Sequence, residues 1–593
     1  MCGIAGVFMR EGEASLDVLD KLARALAHRG PDEQGHFRKD RIGLAHTRLS
    51  IIDVAHGHQP FVSAAGTVLI ANGEIYNDRD LRRELEGVPF QTGSDCEPPL
   101  YLYEQYGENY ARKLRGMYAI AIFDPAANRL LLSRDRFGIK QIYYAETATF
   151  FAFASEPQAL VAAGLVPAGG DATHRAELLQ MQFTTGETTI FPGIRRILPG
   201  ETLVVEDGRL VRRLAPDALA ARPSSAGSSS MSEDEALDQL GALLEETTSA
   251  HMRSDVPYGL FLSGGIDSAA LMVAMTRVTA TPIVALTAAF PDSPSKDESV
   301  KARTVATALK ADHHIVELRA EDFFKDMPAL AAAIDDPTTD ASALPLFMLA
   351  REARRIGLKV ALSGEGADEL FGGYKRYRRS LWLGGLWKEK TRTRGIIERS
   401  PSSPAPFARW RDGIAEVERR EDGTGRTAMQ RLQDIDRQAW LPNDLLLKLD
   451  RCLMAHGIEG RTPYLDNRLS PFAYALPNSL KVKGRYGKWL LRAWLAKNLP
   501  AAEPWGKKQG FVVPAGKWLA QYRREIEGLL TNHPAIAEMG LSGRIAEVFA
   551  DEKKGQMGWN LLFYALWHSH HVLGVDSAGT IADVMAASAR VAA

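Results

Sequence analysis

The hydrophobic pattern of the chain changes on either side of one low-complexity segment, and this change is the strongest constraint on the fold. The segment runs from Ala220 to Ser230 and consists largely of Ser and Ala, a composition typical of flexible linkers. Ser232 and Glu235 follow it at the spacing of a capping box, which predicts the start of a helix. Because 593 residues are also too many for one core, we expect a domain boundary at 215–231.

Before the linker, short apolar runs alternate with polar residues and end at Gly, Asn, Asp or Pro. Such runs are typical of half-buried strands joined by turns. They lie at Gly66 to Ala71, Met117 to Phe123, Arg129 to Ser133 and Phe150 to Ala154. Residues 1–214 are therefore expected to form an α+β domain of antiparallel sheets with a few helices.

After the linker, buried strands, loops and helices alternate, which is typical of a parallel α/β domain. The pattern predicts strands at Val256 to Leu262, Ile283 to Phe290, His314 to Leu318 and Lys359 to Leu362, and helices at Asp297 to Lys310 and Leu346 to Ile356. We expect a doubly wound parallel-sheet domain with helical additions over 232–575. An Ala-rich tail with some helical character follows at 576–593.

Charge and apolar patterning exclude several classes of partner. A formal net charge of −1 and a pI near 6.9 provide no field that would attract nucleic acid or an anionic membrane. The basic cluster Lys388 to Arg394 is interpreted as a solvated face. No apolar stretch reaches the roughly 18 residues of a spanning helix, and Arg10 and Glu11 interrupt any leader-like run. We expect small-molecule substrates and a cytoplasmic location, with no nucleic-acid or membrane partner.

The cysteines Cys2, Cys96 and Cys452 are too few and too scattered for a disulfide framework or a thiolate zinc site, which fits a reducing cytoplasm. Cys2 is the one that indicates chemistry. Its small side chain permits removal of Met1, which would leave a free α-amine a few bonds from the thiol. Since an α-amine titrates at about pH 8, one residue would then hold both nucleophile and base.

Five short motifs occur in order from the amino terminus. They are Met1 to Val7, His28 to Asp32, Leu44 to Asp53, Asn72 to Asn77 and Gly93 to Glu97. Each alone would pass for a turn or a surface ion pair, as an Asn-Gly dipeptide does in many turns. Together they resemble the class II glutamine amidotransferase domain, an Ntn-hydrolase fold of stacked sheets between helices, over roughly the first third of the chain.

This resemblance implies a role for each polar residue of the motifs. Glutamine hydrolysis needs a cation for the α-carboxylate, acceptors for the α-ammonium and two donors for the oxyanion. By similarity, Arg48 binds the carboxylate, whereas Glu74 and Asp95 bind the ammonium. The side-chain amide of Asn72 and the backbone N–H of Gly73 would form the oxyanion hole around the product of Cys2 attack. Further glutamine contacts are implied at Leu49, Ile51 and Ile52.

A glycine-rich loop, Ser263 to Ser268, lies between the strand predicted to end at Leu262 and the helical run Ala269 to Arg277. Such a loop at a helix amino terminus offers backbone N–H groups to a polyphosphate. It lacks the Gly-Lys-Ser/Thr ending of a Walker A loop. On its own it therefore indicates anion binding and no more.

A second loop, Ser363 to Tyr374, follows the next predicted strand. Loops at the carboxyl ends of neighbouring parallel strands face one crevice. Over roughly residues 235–520 the chain resembles the ATP-pyrophosphatase domain of the asparagine synthetase family. The motifs that carry this resemblance, besides the two loops, are Asp450 with Arg451, Met454 to His456, Glu459 to Asp466 and Lys488 to Arg492.

The second resemblance implies a site for ATP and Mg²⁺. Asp267 and Asp368 would hold Mg²⁺ on the phosphates, because two carboxylates without a metal would repel a triphosphate. Glu365 is implied as the general base when ammonia attacks an acyl-adenylate. The alternative is that Glu365 and Asp368 serve only as charges at a helix amino terminus. The remaining implied ATP contacts are Leu262, Ser263, Gly264, Gly265, Ser268, Ala288, Ser363, Gly364 and Lys488.

Three positions depart from the family pattern. Ala288 is smaller than the usual branched residue against adenine, Cys452 stands where Met or a small residue is common, and Gly506 replaces a frequent Arg. These departures put substrate contacts in doubt, but not the inferred chemistry. Elsewhere, the cluster of His568, His570 and His571 has no carboxylate or Cys at ligand spacing and is interpreted as structural.

Together the resemblances imply a glutamine- and ATP-dependent ligase that converts aspartate to asparagine through a Cys2 thioester and a β-aspartyl-AMP, and releases glutamate, AMP and pyrophosphate. Because water would intercept ammonia or the adenylate, an enclosed tunnel is expected. Amidation of another carboxylate, such as a sugar acid or a secondary-metabolite precursor, remains open, as does a glutaminase with a regulatory synthetase half. A nonenzymatic scaffold predicts losses among the site residues, and none is lost. Relatives of this kind are often homodimers, and a homodimer is expected here.

Overall fold

The computed structural model describes residues 2–215, 231–293, 298–382, 391, 395–397, 409–422, 424–506, 513–549 and 555–592. Residues 216–230 of the predicted linker and all basic residues of the cluster Lys388 to Arg394 lie outside the described residues. The helix predicted after the linker is confirmed. Its capping box forms as expected, because the Ser232 hydroxyl accepts from the Glu235 backbone N–H and the Glu235 carboxylate accepts from that of Ser232.

Residues 2–215 contain two antiparallel sheets that stack face to face. Their strands are β1 Gly3–Met9, β2 Glu33–Lys39, β3 Ile42–Arg48, β4 Phe61–Val62, β5 Val68–Ile75, β6 Gly116–Asp124, β7 Arg129–Arg134, β8 Tyr143–Glu146, β9 Phe150–Ala154, β10 Ile194–Arg196, β11 Thr202–Glu206 and β12 Arg209–Leu214. One sheet has the order β10-β8-β9-β1-β3-β2 and the other β12-β11-β7-β6-β5-β4. Alternate side chains of each, such as Phe8 and Phe123 with ring centroids 5.9 Å apart, fill the space between them.

Helices cover the outer faces of this sandwich. They are α1 Leu16–Ala25, α2 Asp78–Glu84, α3 Pro98–Tyr106 and α4 Pro157–Ala162. A fifth helix of residues 2–215, α5 Ala172–Met181, contacts the second domain. In α1, Leu19, Leu22 and Ala23 share one face and are buried against the first sheet. Helices α2 and α3 pack on the second sheet. The helix–sheet–sheet–helix layering confirms the predicted Ntn-hydrolase sandwich.

The second domain is built on a parallel sheet, as predicted. Its strands are β13 Tyr258–Phe261, β14 Val284–Ala289, β15 Asp312–Glu317, β16 Val360–Leu362 and β17 Glu459–Arg461, and a separate hairpin consists of β18 Val482–Lys483 and β19 Tyr486–Gly487. The sheet order is β15-β14-β13-β16-β17 with every pair parallel. Strands β14 and β15 are added on one side of β13, whereas β16 and β17 are added on the other. The loops that follow β13 and β16 therefore meet at the switch point of the sheet.

Helices surround this sheet and extend the domain. They are α6 Glu233–Met252, α7 Ile266–Val278, α8 Ser299–Ala308, α9 Ala320–Ala333, α10 Ala343–Arg355, α11 Ala367–Phe371, α12 Lys375–Trp382, α13 Asp412–Arg420, α14 Ala428–Gln438, α15 Leu446–Met454, α16 Leu469–Ala475, α17 Asn478–Lys481, α18 Trp489–Asn498, α19 Ala515–Gln521, α20 Arg523–Thr531, α21 Pro534–Glu538, α22 Ile545–Phe549, α23 Gly555–His571 and α24 Ile581–Ala592. None of the helices in the described part of the chain is long and apolar enough to cross a membrane.

The carboxyl-terminal segment, set apart by composition as a tail, contains α24. Ile581, Val584 and Met585 share one face of this helix and are buried with α23 and α9. Because helical spacing gathers these apolar side chains on one side, the segment packs on the core of the second domain. The neighbouring histidine cluster also takes part in this packing, because the ring of His571 contacts the Gln158 side chain at 3.0 Å.

Candidate active sites

Cys2 lies directly before β1 and is almost completely buried beside the second sheet of the sandwich. Its backbone N–H donates to Asn72 Oδ1 at 3.0 Å, and its carbonyl oxygen accepts from Arg29 Nε at 3.1 Å. Burial raises the pKa of the Cys2 thiol, an effect that a hydrogen bond with the Leu49 backbone opposes. The thiol therefore needs a nearby base to react as a thiolate at neutral pH.

Asn72 and Gly73 lie on β5, where they pair with β6. Asn72 is fully buried, and its Nδ2 has no hydrogen-bond partner among the described residues. Oδ1 accepts the hydrogen bond from the Cys2 backbone N–H, so the amide is oriented with its donor atom, Nδ2, on the opposite side. An unused buried donor next to a nucleophile suits an oxyanion, so the structure brings Cys2 and Asn72 together as the sequence predicted.

Arg48 ends β3 and shapes the loop that follows it. Its Nη1 donates to both carboxylate oxygens of Glu33 at 3.1 Å, and its Nη2 donates to the carbonyl oxygens of Ile52 and Asp53 at 3.3 and 2.7 Å. The loop thereby wraps the guanidinium, with Leu49 and Ile51 buried. Sequence analysis missed Glu33, whose carboxylate forms an ion pair with Arg48.

Two buried carboxylates, those of Glu74 and Asp95, lie at the same end of β5. Asp95 Oδ2 accepts from the Ile75 backbone N–H at 2.6 Å. Burial raises the pKa of Asp95 to about 6 and that of Glu74 well above its ordinary value. Glu74 Oε2 accepts from Arg461 Nη2 at 2.9 Å, whereas Glu74 Oε1 has no partner among the described residues. Arg461 belongs to the second domain, and sequence analysis gave it no role.

A second buried arginine crosses the domain boundary next to Cys2. Besides the Cys2 carbonyl, Arg29 contacts Asp450 with Nη1 and Nη2 at 2.8 and 3.1 Å, and Glu156 at 2.6 Å. The side chain of Asp450 also accepts from Arg451 at 2.8 Å. The motifs that contain Arg29 and Asp450 were each recognised in the sequence, but only the fold shows that they bind one another.

In the second domain, the loop after β13 and the loop after β16 line one cavity of about 410 Å³. Every predicted ATP contact except Lys488 lies on its wall: Leu262, Ser263, Gly264, Gly265, Asp267, Ser268, Ala288, Ser363 and Gly364. The predicted general base Glu365 and the predicted metal ligand Asp368 line it as well. The loop needs glycine at Gly264, where φ is +71° and an added Cβ would lie 2.8 Å from the Ala302 backbone nitrogen. Because the backbone at Gly264 packs closely against Ala302, the loop and the amino terminus of α7 remain open toward the cavity.

Lys488 lies beneath this wall and binds both acidic residues of the predicted metal site. Its Nζ lies 2.6 Å from Asp267 Oδ2 and 2.6 Å from Asp368 Oδ1. Burial disfavours the charged ammonium, but the two carboxylates outweigh it and raise the pKa of Lys488. Asp267 Oδ1 is buried and has no partner among the described residues. Two converging carboxylates with an unused oxygen suit a hard cation that takes its other ligands from phosphates.

Gly373 explains how Asp368 and Lys488 come this close. A Cβ at Gly373 would lie 1.7 Å from Asp368 Oδ1 and 2.4 Å from Lys488 Cε. Lys488 itself adopts φ of +55°, an uncommon conformation for a residue with a side chain, as the residue before α18. The second glycine of a Gly-Gly pair in the predicted loop was the sequence signal for this contact.

Glu365 lies on the cavity wall near a cluster that sequence analysis missed. Desolvation raises the pKa of Glu365 to about 6, against the lowering effect of Lys448. Lys448 Nζ in turn contacts Asp340 Oδ2 at 2.5 Å and Ser342 Oγ at 2.7 Å, and all three residues line the cavity. This part of the cavity therefore offers a cation, an anion and a hydroxyl beside a proton acceptor.

Of the three departures from the family pattern, two are at the cavity. Ala288 and Gly506 line it. At Gly506 an added Cβ would lie 3.0 Å from the Glu503 carbonyl oxygen, so a larger residue would need the backbone to shift. Cys452 is instead fully buried in α15, with its thiol 3.4 Å from the Ala343 carbonyl oxygen. Cys452 is therefore a packing position.

The stacked-sheet domain with a buried cysteine before its first strand, joined to a doubly wound domain with a glycine-rich loop on its cavity, defines a two-domain amidotransferase of the glutamine-dependent class. Residues 1–214 match the model of the glutamine amidotransferase domain, and residues 239–569 match that of asparagine synthase. The chain belongs to the asparagine synthase family.

Three similar proteins match most of the chain. Glutamine-hydrolyzing asparagine synthetase 1 of Bacillus subtilis is 31% identical over 96% of this chain and 97% of its own length. Asparagine synthetase B of Escherichia coli is 28% identical over 86% of this chain and 82% of its own length. Amidase chyE of Penicillium rubens is 28% identical over 82% of this chain and 83% of its own length.

Proposed function

We propose that this protein uses ATP and glutamine to convert aspartate to asparagine, and releases glutamate, AMP and pyrophosphate. The observation that carries the proposal is that buried polar atoms at both centres lack protein partners among the described residues. They are Asn72 Nδ2, Glu74 Oε1 and Asp267 Oδ1. Since unsatisfied buried polar atoms cost stability, their presence at both centres favours ligand binding at each.

At the first centre, the Cys2 sulfur attacks the side-chain amide carbon of glutamine. A C–S bond forms, and the C–N bond breaks with release of ammonia. After removal of Met1, the α-amine of Cys2 accepts the thiol proton and passes it to the departing nitrogen, which leaves as ammonia. The hydrogen bond from the Cys2 nitrogen to Asn72 Oδ1 holds the amine in place. Asn72 Nδ2 stabilises the oxyanion, and water hydrolyses the thioester to glutamate.

At the second centre, an oxygen of the acceptor carboxylate attacks the α-phosphorus of ATP, and pyrophosphate leaves. Adenylation is required because a free carboxylate has no adequate leaving group. Lys488 supplies positive charge to the departing pyrophosphate from a buried position. Asp267 and Asp368 would hold Mg²⁺, which when bound neutralises phosphate charge.

Amide formation completes the reaction. Ammonia attacks the acyl carbon of the adenylate, the C–O bond to AMP breaks, and Glu365 accepts a proton from the attacking nitrogen. A pKa of about 6 leaves Glu365 charged at neutral pH and close enough to neutrality for proton transfer. Shielding of both steps from water prevents hydrolysis of the adenylate.

Support for an amino acid as acceptor comes from the charges beside Glu365. Lys448 and Asp340 present opposite charges on the same wall. A zwitterionic acceptor such as aspartate has a carboxylate and an ammonium to match them, whereas a sugar acid has only the anion.

The test is pyrophosphate release from ATP and Mg²⁺ in the presence of glutamine, with candidate acceptors added one at a time and the amide identified by mass. Aspartate alone should trigger release, with asparagine and AMP formed in equal amounts. A Cys2→Ala variant should lose synthesis from glutamine and keep synthesis from added ammonia. If a sugar acid and not aspartate triggers release, the acceptor assignment is wrong. If no acceptor triggers release while glutamine is hydrolysed, the chain is a glutaminase.

A further inference from the structure

Arg461, the last residue of β17, is fully buried and anchored on several sides. Its Nε donates to Glu459 Oε1 at 2.6 Å, and its Nη1 donates to the carbonyl oxygens of His251 and Arg253 at 2.7 and 2.6 Å. Nη2 remains for Glu74 Oε2 at 2.9 Å. The second domain therefore fixes the guanidinium, and the guanidinium in turn fixes Glu74.

This contact makes the two carboxylate oxygens of Glu74 unequal. Oε2 is held by Arg461, and Oε1 is buried without a partner among the described residues. A carboxylate clamped at one oxygen and free at the other has a defined orientation for a single further donor. The charge of Asp95 raises the pKa of Glu74 further.

Charge gives Arg461 a second effect on Glu74. Burial raises the pKa of the Glu74 carboxyl, and Arg461 is the largest opposing influence. Arg461 thus favours the charged form of Glu74. Its loss would raise the pKa of Glu74 further and weaken the attraction of this carboxyl for a cation.

The backbone of the same residue reaches the other centre. The carbonyl oxygen of Arg461 accepts from the backbone N–H of Ser363 at 2.8 Å, and Ser363 begins the cavity loop that holds Glu365. Arg461 is therefore bonded on one side to a residue of the glutamine centre and on the other to the cavity wall.

We propose that Arg461 is a positioning residue for glutamine, supplied by the synthetase domain, which binds one carboxylate oxygen of Glu74 and orients the other toward the α-ammonium of the substrate. The glutamine centre is then complete only when the two domains are docked. The inference rests on the proposed role of Glu74 in glutamine binding.

The test compares glutamine with glutaramate, which is glutamine without its α-amino group, by measuring ammonia release from the full chain. Arg461→Met should lower kcat/KM for glutamine roughly 10- to 100-fold, mainly through KM, as expected for one charge-assisted hydrogen bond. The value for glutaramate should change less than twofold. Arg461→Lys should recover part of the loss, and in Arg461→Met the acidic limb of kcat/KM for glutamine should move to higher pH.

Arg115→Met is the matched control, because Arg115 also crosses the domain boundary, to Asp466 at 3.0 Å, without contacting Glu74. It should leave the ratio of the two substrates unchanged. Equal losses for glutamine and glutaramate in the Arg461 variants would show a merely structural role and overturn the proposal. If Arg461→Met does not fold, Arg461→Lys provides the same comparison.

Calorimetric binding of glutamine to the Cys2→Ala protein separates this inference from the proposed function. Binding that weakens at least tenfold when Arg461→Met is added supports the positioning role even if the unmodified chain releases no ammonia, a result that would contradict the proposed function alone. Binding that does not change with Arg461→Met, or no binding at all, overturns the inference.

Discussion

The backbone N–H of Cys2 and the side-chain oxygen of Asn72 form a buried hydrogen bond of 3.0 Å that joins the start of β1 to β5. This bond orients the Asn72 amide, because with Oδ1 engaged the donor Nδ2 is left on the opposite side of the group without a partner among the described residues. One contact thus places the candidate nucleophile and sets the direction of the donor expected to stabilise its product.

Replacement of Asn72 should therefore affect glutamine hydrolysis alone. Asn72→Ala is expected to lower kcat for glutamine hydrolysis roughly 10²- to 10³-fold, the usual loss for one oxyanion donor. Synthesis from added ammonia should be unchanged, which serves as the internal control. A variant with normal kcat would mean that Asn72 only anchors the amino terminus.

The acidic limb of amide formation should report Glu365. Since desolvation raises the pKa of Glu365 to about 6, its charged, proton-accepting form is lost as pH falls through about 6. At a fixed concentration of free ammonia, the amidation rate should fall about tenfold per pH unit below that value. Glu365→Gln should remove this dependence and slow amidation roughly 10²- to 10⁴-fold while pyrophosphate release continues. Loss of both steps together would argue against the general-base role.

A methyl group at Gly373 should separate Asp368 from Lys488. The added Cβ would lie 1.7 Å from Asp368 Oδ1, and a displacement of about 1 Å can cost 10²-fold in rate. Gly373→Ala is expected to reduce pyrophosphate release by about that factor, with glutamine hydrolysis unaffected. The control is Gly528→Ala in α20, where nothing lies within 4 Å of the added methyl. Equal behaviour of the two variants would contradict the assigned geometry.

Loss of Arg29 should weaken the joint between the domains. Arg29→Met removes one of the two arginines shared by the buried carboxylates of Asp450 and Glu156, and leaves Arg451 as the other. Removing one partner of a buried ion pair costs up to about 3–5 kcal/mol. Calorimetric unfolding should show an earlier transition, and adding Asp450→Asn should restore part of the loss. Arg355→Met, which removes an exposed pair with Glu352, should leave the transition unchanged. A shift no larger than that of the control would show that the domains dock without this pair.

Local pattern was sufficient to predict the change from antiparallel to parallel sheet, four strands of the sandwich (β5, β6, β7 and β9) and four of the five strands of the parallel sheet. Alternating apolar runs predict the antiparallel strands, and buried runs followed by helical periods predict the parallel ones, because each depends on residues within a few positions of one another. Since neighbouring parallel strands carry their loops to one edge of a sheet, the strand pattern also predicts that Ser263 to Ser268 lies beside Ser363 to Glu365. The motifs identified the candidate nucleophile and the acidic residues.

The sequence by itself determined the elements, their class and the short motifs at their ends. The tertiary structure decided which charges meet: Arg461 with Glu74, Arg29 with Asp450, and Lys448 with Asp340. These partners lie more than a hundred positions apart, and no local period relates residues at such separations. Their contacts arise from the docking of whole sheets and helices, where each buried charge must find a partner because solvent is excluded.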